Sequence, residues 1–250
     1  MKPYSIANWK MNLNEEESRK LVAKISVGLP KISGQVIFCP SYPNLRGVID
    51  LIAGKSKLAC GAQDVFFGSS GAVTGEVSAD MLSDLGCRYV IVGHSERRIN
   101  FGETDEDVNK KIKACLEHKL IPIICIGENF KEKQKKESAK VVSKQLKGAL
   151  KGVDSSRAEL IIVYEPAWTI STNKKSKPAS WDDIASIKKI IKSQINDVPV
   201  VYGGSVNSSN VANFVGRDKL DGVLVGSASL DGGEFTKIVK EVEKEFHKSS

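Results

Sequence analysis

The sequence predicts an α/β protein built as a single (β/α)8 barrel, one domain over residues 1–250. Three observations carry that expectation: eight short, apolar, β-rich runs recur along the chain, segments of helical periodicity separate them, and no GxGxxG cluster follows the first run. Parallel strands need helical crossovers, so β-then-α alternation implies a parallel sheet. Eight such units close on themselves, whereas a doubly wound open sheet usually has fewer strands and often that glycine fingerprint. A chain of 250 residues suits one large barrel or two small domains, and the regular alternation decides for the barrel.

The first run, residues 4–7, leads into Asn8-Trp9-Lys10, and the second spans 35–39. The third, 57–60, is followed by Gln63 and a Gly- and Ser-rich stretch, 64–75, which reads as a loop exposing Phe66 and Phe67. The fourth, 89–92, runs into Gly93-His94-Ser95-Glu96-Arg97-Arg98; beyond it, Val108, Ile112, Cys115 and Leu116 recur at helical spacing behind a capping box of Thr104 with Asp107. The fifth, 122–126, precedes Glu128, and the charge-dense segment 131–137 mixes both signs in the manner of a solvated helix face. The sixth, 160–164, ends on Glu165, where Pro166 stops the strand. Ile184, Ile187, Ile191 and Ile195 mark the helix that follows, with Ser180 and Asp183 as its capping box. The seventh, 199–202, leads into Gly203-Gly204-Ser205, and the eighth, 222–225, into Gly226-Ser227.

Composition narrows the function classes. A chain 41% apolar and 27% charged buries a full core. Its net charge of +7 comes from scattered basic residues, which argues against a nucleic-acid footprint while still favouring an anionic substrate. Five cysteines without CxxC spacing or neighbouring histidines read as small buried hydrophobes in a reducing compartment. No signal-peptide core and no run of membrane-spanning length is present, so the expected location is cytoplasmic, with no membrane partner. No metal and no organic cofactor is expected.

In a barrel of this kind the strands' C-terminal ends share one face, where active sites are built. Glu165 therefore sits where a buried strand leaves the core, and His94 occupies the corresponding end of the fourth strand. A lone strand-end glutamate is more often a surface ion pair, and an isolated histidine more often a satisfied core residue. Pro166 and Trp168, together with Ile170 and Leu224 as apolar covers, favour a dried carboxylate, which is a stronger base. A helical turn opening at Ser95 places its positive dipole end beside the imidazole and disfavours the charged ring by about 0.3–1 kcal/mol. Lys10, by spacing alone, is an ordinary surface lysine.

The motifs Ala-Asn-Trp-Lys-Met-Asn (7–12), Gly-Ala-Gln (61–63), Val-Gly-His-Ser-Glu-Arg-Arg (92–98), Phe-Gly-Glu-Thr (101–104), Cys-Ile-Gly-Glu (125–128), Tyr-Glu-Pro-Ala-Trp (164–168) and Tyr-Gly-Gly-Ser-Val (202–206) stand in order, each near a strand end. Together they cover nearly the whole chain, and the chain resembles the triosephosphate isomerase family. The resemblance implies interconversion of dihydroxyacetone phosphate and D-glyceraldehyde 3-phosphate through an enediolate. It also implies roles: Glu165 as base and then acid, His94 as neutral electrophile, Lys10 as the charge facing the oxyanion, Asn8 orienting Lys10 and substrate, and Glu96 pairing with Lys10. Ser171, Ser205, Gly226 and Ser227 are implied for the phosphate, with Ile170 and Leu224 as apolar cover. A homodimer joined through the 64–75 loop is likewise implied, with Thr74 beside the other subunit's Asn8 and Lys10.

The chain departs from the family where Ser171, Asn173 and Ser227 replace usual glycines. A Cβ restricts positive φ, so weaker phosphate affinity is expected there. Two other readings stay open: a barrel epimerase or aldolase for another sugar phosphate, and a non-catalytic phosphate-binding barrel.

Overall fold

The computed structural model describes residues 2–170 and 177–248. Its strands are β1 (Tyr4–Asn8), β2 (Gln35–Cys39), β3 (Leu58–Ala62), β4 (Tyr89–Val92), β5 (Ile121–Ile126), β6 (Ile161–Tyr164), β7 (Val200–Gly203) and β8 (Gly222–Val225). All neighbours pair in parallel, in the order β1 to β8, and β1 pairs with β8 to close the barrel. Around it lie α1 (Glu15–Gly28), α2 (Leu45–Ile52), α3 (Ala79–Leu85), α4 (Ser95–Phe101), α5 (Asp105–Glu117), α6 (Phe130–Gln134), α7 (Ser138–Ala149), α8 (Trp181–Gln194) and α9 (Gly232–His247).

Strand alternation divides the core into two layers. Ile6, Ile37, Ile91, Ile123, Val163 and Val201 fill the barrel with Cys39 and Cys125, while the residues between them point outward to the helices. That parity aims functional residues too. Ile161 and Val163 face inward on β6, so Glu165, two residues on, faces the barrel mouth; Ile6 does the same for Asn8 on β1. All five cysteines are buried free thiols.

The helices follow their sequence signals. On α5 the Thr104 hydroxyl accepts from Asp107 N and the Asp107 carboxylate accepts from Thr104 N, the complete capping box. At α8 the Ser180 hydroxyl accepts from Asp183 N, but an Asp183 oxygen sits 2.5 Å from Lys133 Nζ, so this carboxylate serves as an ion-pair partner. Segment 131–137 is not one solvated helix. The α6 helix ends at Gln134, Lys136 takes φ +59, and Glu137 is the N-cap of α7.

Between β7 and β8 no α-helix forms, which corrects the strict alternation read from sequence. Polar side chains claim the backbone there: Asn207 Oδ1 accepts from the backbone N–H groups of Ser209 and Asn210, and Asn210 Oδ1 accepts from Asn207 N. A 3-10 turn at Val211–Asn213 results, and Val211, Phe214 and Leu220 cover the barrel in place of a helix.

One buried charge cluster fastens the loop after β3 to α4 and α5. Lys111 Nζ lies 2.7 Å from both Asp64 Oδ1 and Glu103 Oε2, while Arg97 reaches Asp64 at 2.9 Å and Glu103 at 2.7 Å. Asp64 is thus anchored and not part of an exposed loop. In the remainder of the loop Phe67 is exposed and Phe66 is half-buried, stacked on Phe67 with centroids 4.4 Å apart.

Candidate active site

Glu165, His94 and Lys10 line one pocket at the C-terminal mouth of the barrel, with Ile170, Gly203, Gly204, Leu224 and Gly226. The glutamate is buried, and Ser95 holds it: the hydroxyl donates to Glu165 Oε1 at 2.5 Å and the backbone N–H at 3.2 Å. Its other oxygen, Oε2, is 3.2 Å from His94 Nε2 yet has no aligned hydrogen-bond partner among the described residues. A buried carboxylate oxygen without a donor is costly to keep, and it is also the lone pair best placed to take a proton.

His94 is the N-cap of α4. Its Nδ1 accepts from Glu96 N at 3.2 Å, which leaves Nε2 to carry the proton and face the pocket. The helix start expected from sequence is therefore present, and its N–H groups enforce one neutral tautomer through geometry. Gly93 N donates to Glu103 Oε1 at 2.9 Å, so the buried charge cluster also fixes the turn that aims His94.

Lys10 takes φ +54, a conformation that costs a non-glycine residue about 1–3 kcal/mol. Its surroundings impose it: Lys10 N donates to Asn8 Oδ1 at 3.1 Å, and Gln63 Nε2 donates to Lys10 O at 2.8 Å. The ammonium lies 2.5 Å from Glu96 Oε1, so the chain direction and the ion pair together point it into the pocket.

Gly203 and Gly204 answer a question the sequence left open, between a tight turn and a cradle. Neither has positive φ. A Cβ on Gly203 would stand 2.9 Å from Val163 Cγ1 and 3.3 Å from Glu165 Cγ, and one on Gly204 would fall 2.3 Å from the Tyr202 hydroxyl oxygen. Gly203 is needed for close approach to the carboxylate, and Gly204 for close approach to the Tyr202 ring and hydroxyl. Ser205 donates to Thr169 O at 2.7 Å, tying this turn to the segment after Glu165. Gly226 precedes a 3-10 helix at Ser227–Leu230, and Ser227 does not adopt positive φ, so the backbone strain expected of a serine there does not arise. Ser171 and Asn173 lie outside the described residues.

Sequence reasoning placed two supports, Ser95 and Glu128, just past strand ends but gave neither a role. Ser95 stands beside His94 at the head of α4, and that placement at a helix start was the available signal. Glu128, fully buried, accepts from Trp168 Nε1 at 2.9 Å and from the Tyr164 hydroxyl at 3.2 Å, fixing the turn that follows Glu165. Burial and this carboxylate push the Tyr164 hydroxyl pKa well up, so it remains a donor.

A parallel barrel with a dried carboxylate, a donor imidazole, a fixed ammonium and glycine turns on its last two strands defines an enzyme of proton transfer on a small anionic substrate. The triosephosphate isomerase family model matches residues 3–242. The chain belongs to the triosephosphate isomerase family and is an isomerase that interconverts dihydroxyacetone phosphate and D-glyceraldehyde 3-phosphate. It is 41% identical over 244 residues to the triosephosphate isomerase of Moorella thermoacetica, covering 95% of this chain and 98% of that one. It is 43% identical over 247 residues to that of Saccharopolyspora erythraea, covering 94% and 95%. Among solved structures it resembles triosephosphate isomerase from Bartonella henselae with a TM-score of 0.85 at 30% identity, over 96% of this chain and 99% of that one.

Proposed function

We propose that Glu165 removes the proton beside the substrate carbonyl and returns it to the adjacent carbon, while His94 and Lys10 stabilise the enediolate oxygens. The observation that carries this reading is the convergence of the three side chains on one pocket. Glu165 Oε2 offers an unshared lone pair, His94 Nε2 a proton, and Lys10 a charge aimed by Asn8 and Glu96. Proton transfer by a placed carboxylate contributes about 10²–10⁴-fold and a preorganised oxyanion donor about 10²–10³-fold. Backbone N–H groups of the turns at Ser205, Gly226 and Ser227 hold the phosphate, with Ser171 as a further donor, and Ile170 and Leu224 exclude water. Turnover in D2O tests the proton path: the product will carry deuterium on the carbon that receives the proton, read by NMR. Full retention of protium would mean direct hydride migration and would overturn the enediolate route.

We also assign the chain to the cytoplasm as a homodimer. No helix among the described residues is long and apolar enough to cross a membrane, and the five thiols are free. Met11, next to Lys10 in the chain, is 96% exposed, Phe101 and Ile99 on α4 are 70% and 69% exposed, and Phe67, Val73 and Thr74 of the 64–75 loop are exposed as well. A second copy covering this face through the 64–75 loop also braces the turn that carries Lys10. Sedimentation will give twice the monomer mass, and Phe67→Glu with Phe101→Glu will yield a monomer of much lower activity. A fully active monomer would sink the assignment.

A further inference from the structure

At the opposite end of the barrel, away from Glu165, a cavity of about 270 Å³ opens among the N-terminal ends of the strands. Tyr4 and Tyr89, the first residues of β1 and β4, form part of its wall, and Lys2 and Arg88, the residues just outside them, bring two cations to a wall that also carries the carboxylates Glu159 and Asp197. Lys2 Nζ stands 5.6 Å from the Tyr4 ring centroid, and the Arg88 guanidinium carbon 6.0 Å from that of Tyr89. Among the described residues, neither cation reaches a carboxylate at ion-pair distance, and the Arg88 side chain makes no hydrogen bond. A fork of five donors is thus left to solvent.

Over this cavity and the larger one that shares its wall, the cations Lys2, Arg88, Lys113, Lys119 and Arg157 outnumber the carboxylates Asp154, Glu159 and Asp197. Burial first, and after it the Arg88 and Lys57 charges, hold the Lys2 ammonium below its ordinary pKa, while Glu159 opposes this. Burial and the neighbouring Tyr89 push Tyr4 up to about 12, so its hydroxyl remains a hydrogen-bond donor. An acceptor group bearing negative charge relieves the repulsion and takes donors from both sides.

A second and larger cavity, about 560 Å³, shares Ile121, Ala158 and Glu159 with the first. Its wall includes the side chains of Leu116, Leu120 and Val153, and Lys113 and Lys119 stand among the charged residues around it. Asp154, one of the carboxylates there, lies 3.5 Å from Arg157. The two cavities therefore adjoin as one cleft, with Lys2, Arg88, Glu159 and Asp197 at one end and an apolar extension at the other.

We propose that this cleft is a binding site for an amphipathic organic anion, its carboxylate or phosphate between Lys2 and Arg88 and its apolar body over Ile121, Ala158 and Val153. The β1 strand alone separates Tyr4 from Asn8, so the ligand occupies the face opposite the catalytic mouth and leaves it open to substrate.

Calorimetric titration with naphthalene-2-carboxylate tests the proposal, with acetate and naphthalene-2-methanol as the charged and apolar halves. The carboxylate is expected to bind one per chain, at least tenfold tighter than either half, without competing with glyceraldehyde 3-phosphate. Lys2→Ala with Arg88→Ala will weaken it at least tenfold, whereas Lys2→Arg with Arg88→Lys will restore it, all four substitutions leaving kcat and KM unchanged. The site is refuted by absent binding, by equal binding of the neutral alcohol, by unchanged affinity in the double alanine variant, or by competitive inhibition that locates the probe in the catalytic pocket.

Discussion

Glu165→Gln is expected to lower kcat by about 10²–10⁴-fold with little change in KM, because on the proposed route one carboxylate serves both proton transfers while the proposed phosphate contacts lie elsewhere. Glutamine preserves the side chain's length and its acceptor toward Ser95, so the 2.5 Å contact from the Ser95 hydroxyl to Oε1 survives in kind. What disappears is the basic Oε2, buried 3.2 Å from His94 Nε2. A coupled assay on glyceraldehyde 3-phosphate beside the unmodified enzyme gives the comparison. Less than a tenfold drop in the variant would remove Glu165 from its role.

Lys111→Met on α5 is expected to destabilise the fold strongly. The ammonium is 7% exposed and bridges Asp64 and Glu103 at 2.7 Å each, so methionine leaves two buried carboxylates with only Arg97 between them. Breaking a buried pair in this way costs about 3–5 kcal/mol, which in a chain of this size lowers the unfolding midpoint by roughly 6–20 °C. Burial raises the Glu103 pKa, but Lys111 and Arg97 more than offset it, leaving the group below its ordinary 4.5. Its contribution to stability is therefore fully present above 4.5 and is lost as pH falls through the lowered value. Asp64 runs the other way: burial raises its pKa, so protonation favours the folded form and offsets part of that acid loss. Thermal unfolding of the variant across pH 3–7 measures both effects, and a loss under 1 kcal/mol at neutral pH would show the cluster to be ornamental. Because Glu103 also accepts from Gly93 N, kcat should fall alongside stability.

Most of the fold was legible in the sequence for a physical reason. Strands buried on both faces, such as Ile121–Ile126 and Ile161–Tyr164, must be apolar throughout, and their apolar runs stand out from the helices between them. The β7–β8 connection was not legible, since its structure depends on Asn207 and Asn210 bonding to nearby backbone. In the site, Glu165 and His94 could be placed from strand ends alone. Lys10 could not: its position depends on a left-handed backbone imposed by Asn8 and by Gln63, 53 residues away. The Asp64–Lys111–Glu103–Arg97 cluster was equally hidden, for Lys111 interrupts an otherwise apolar face and its partners come from two other segments.

The seam between β1 and β8 pairs Tyr4 with Gly222 and Ala7 with Val225, so the sheet cannot finish until almost the entire polypeptide has left the ribosome. Throughout synthesis β1 waits with one flank unmatched, and every shorter nascent chain carries a growing strand edge open to intruders. The price of a structure without edges is thus a vulnerable childhood. A premature stop codon ahead of residue 222 would release an aggregating fragment in place of a smaller working enzyme.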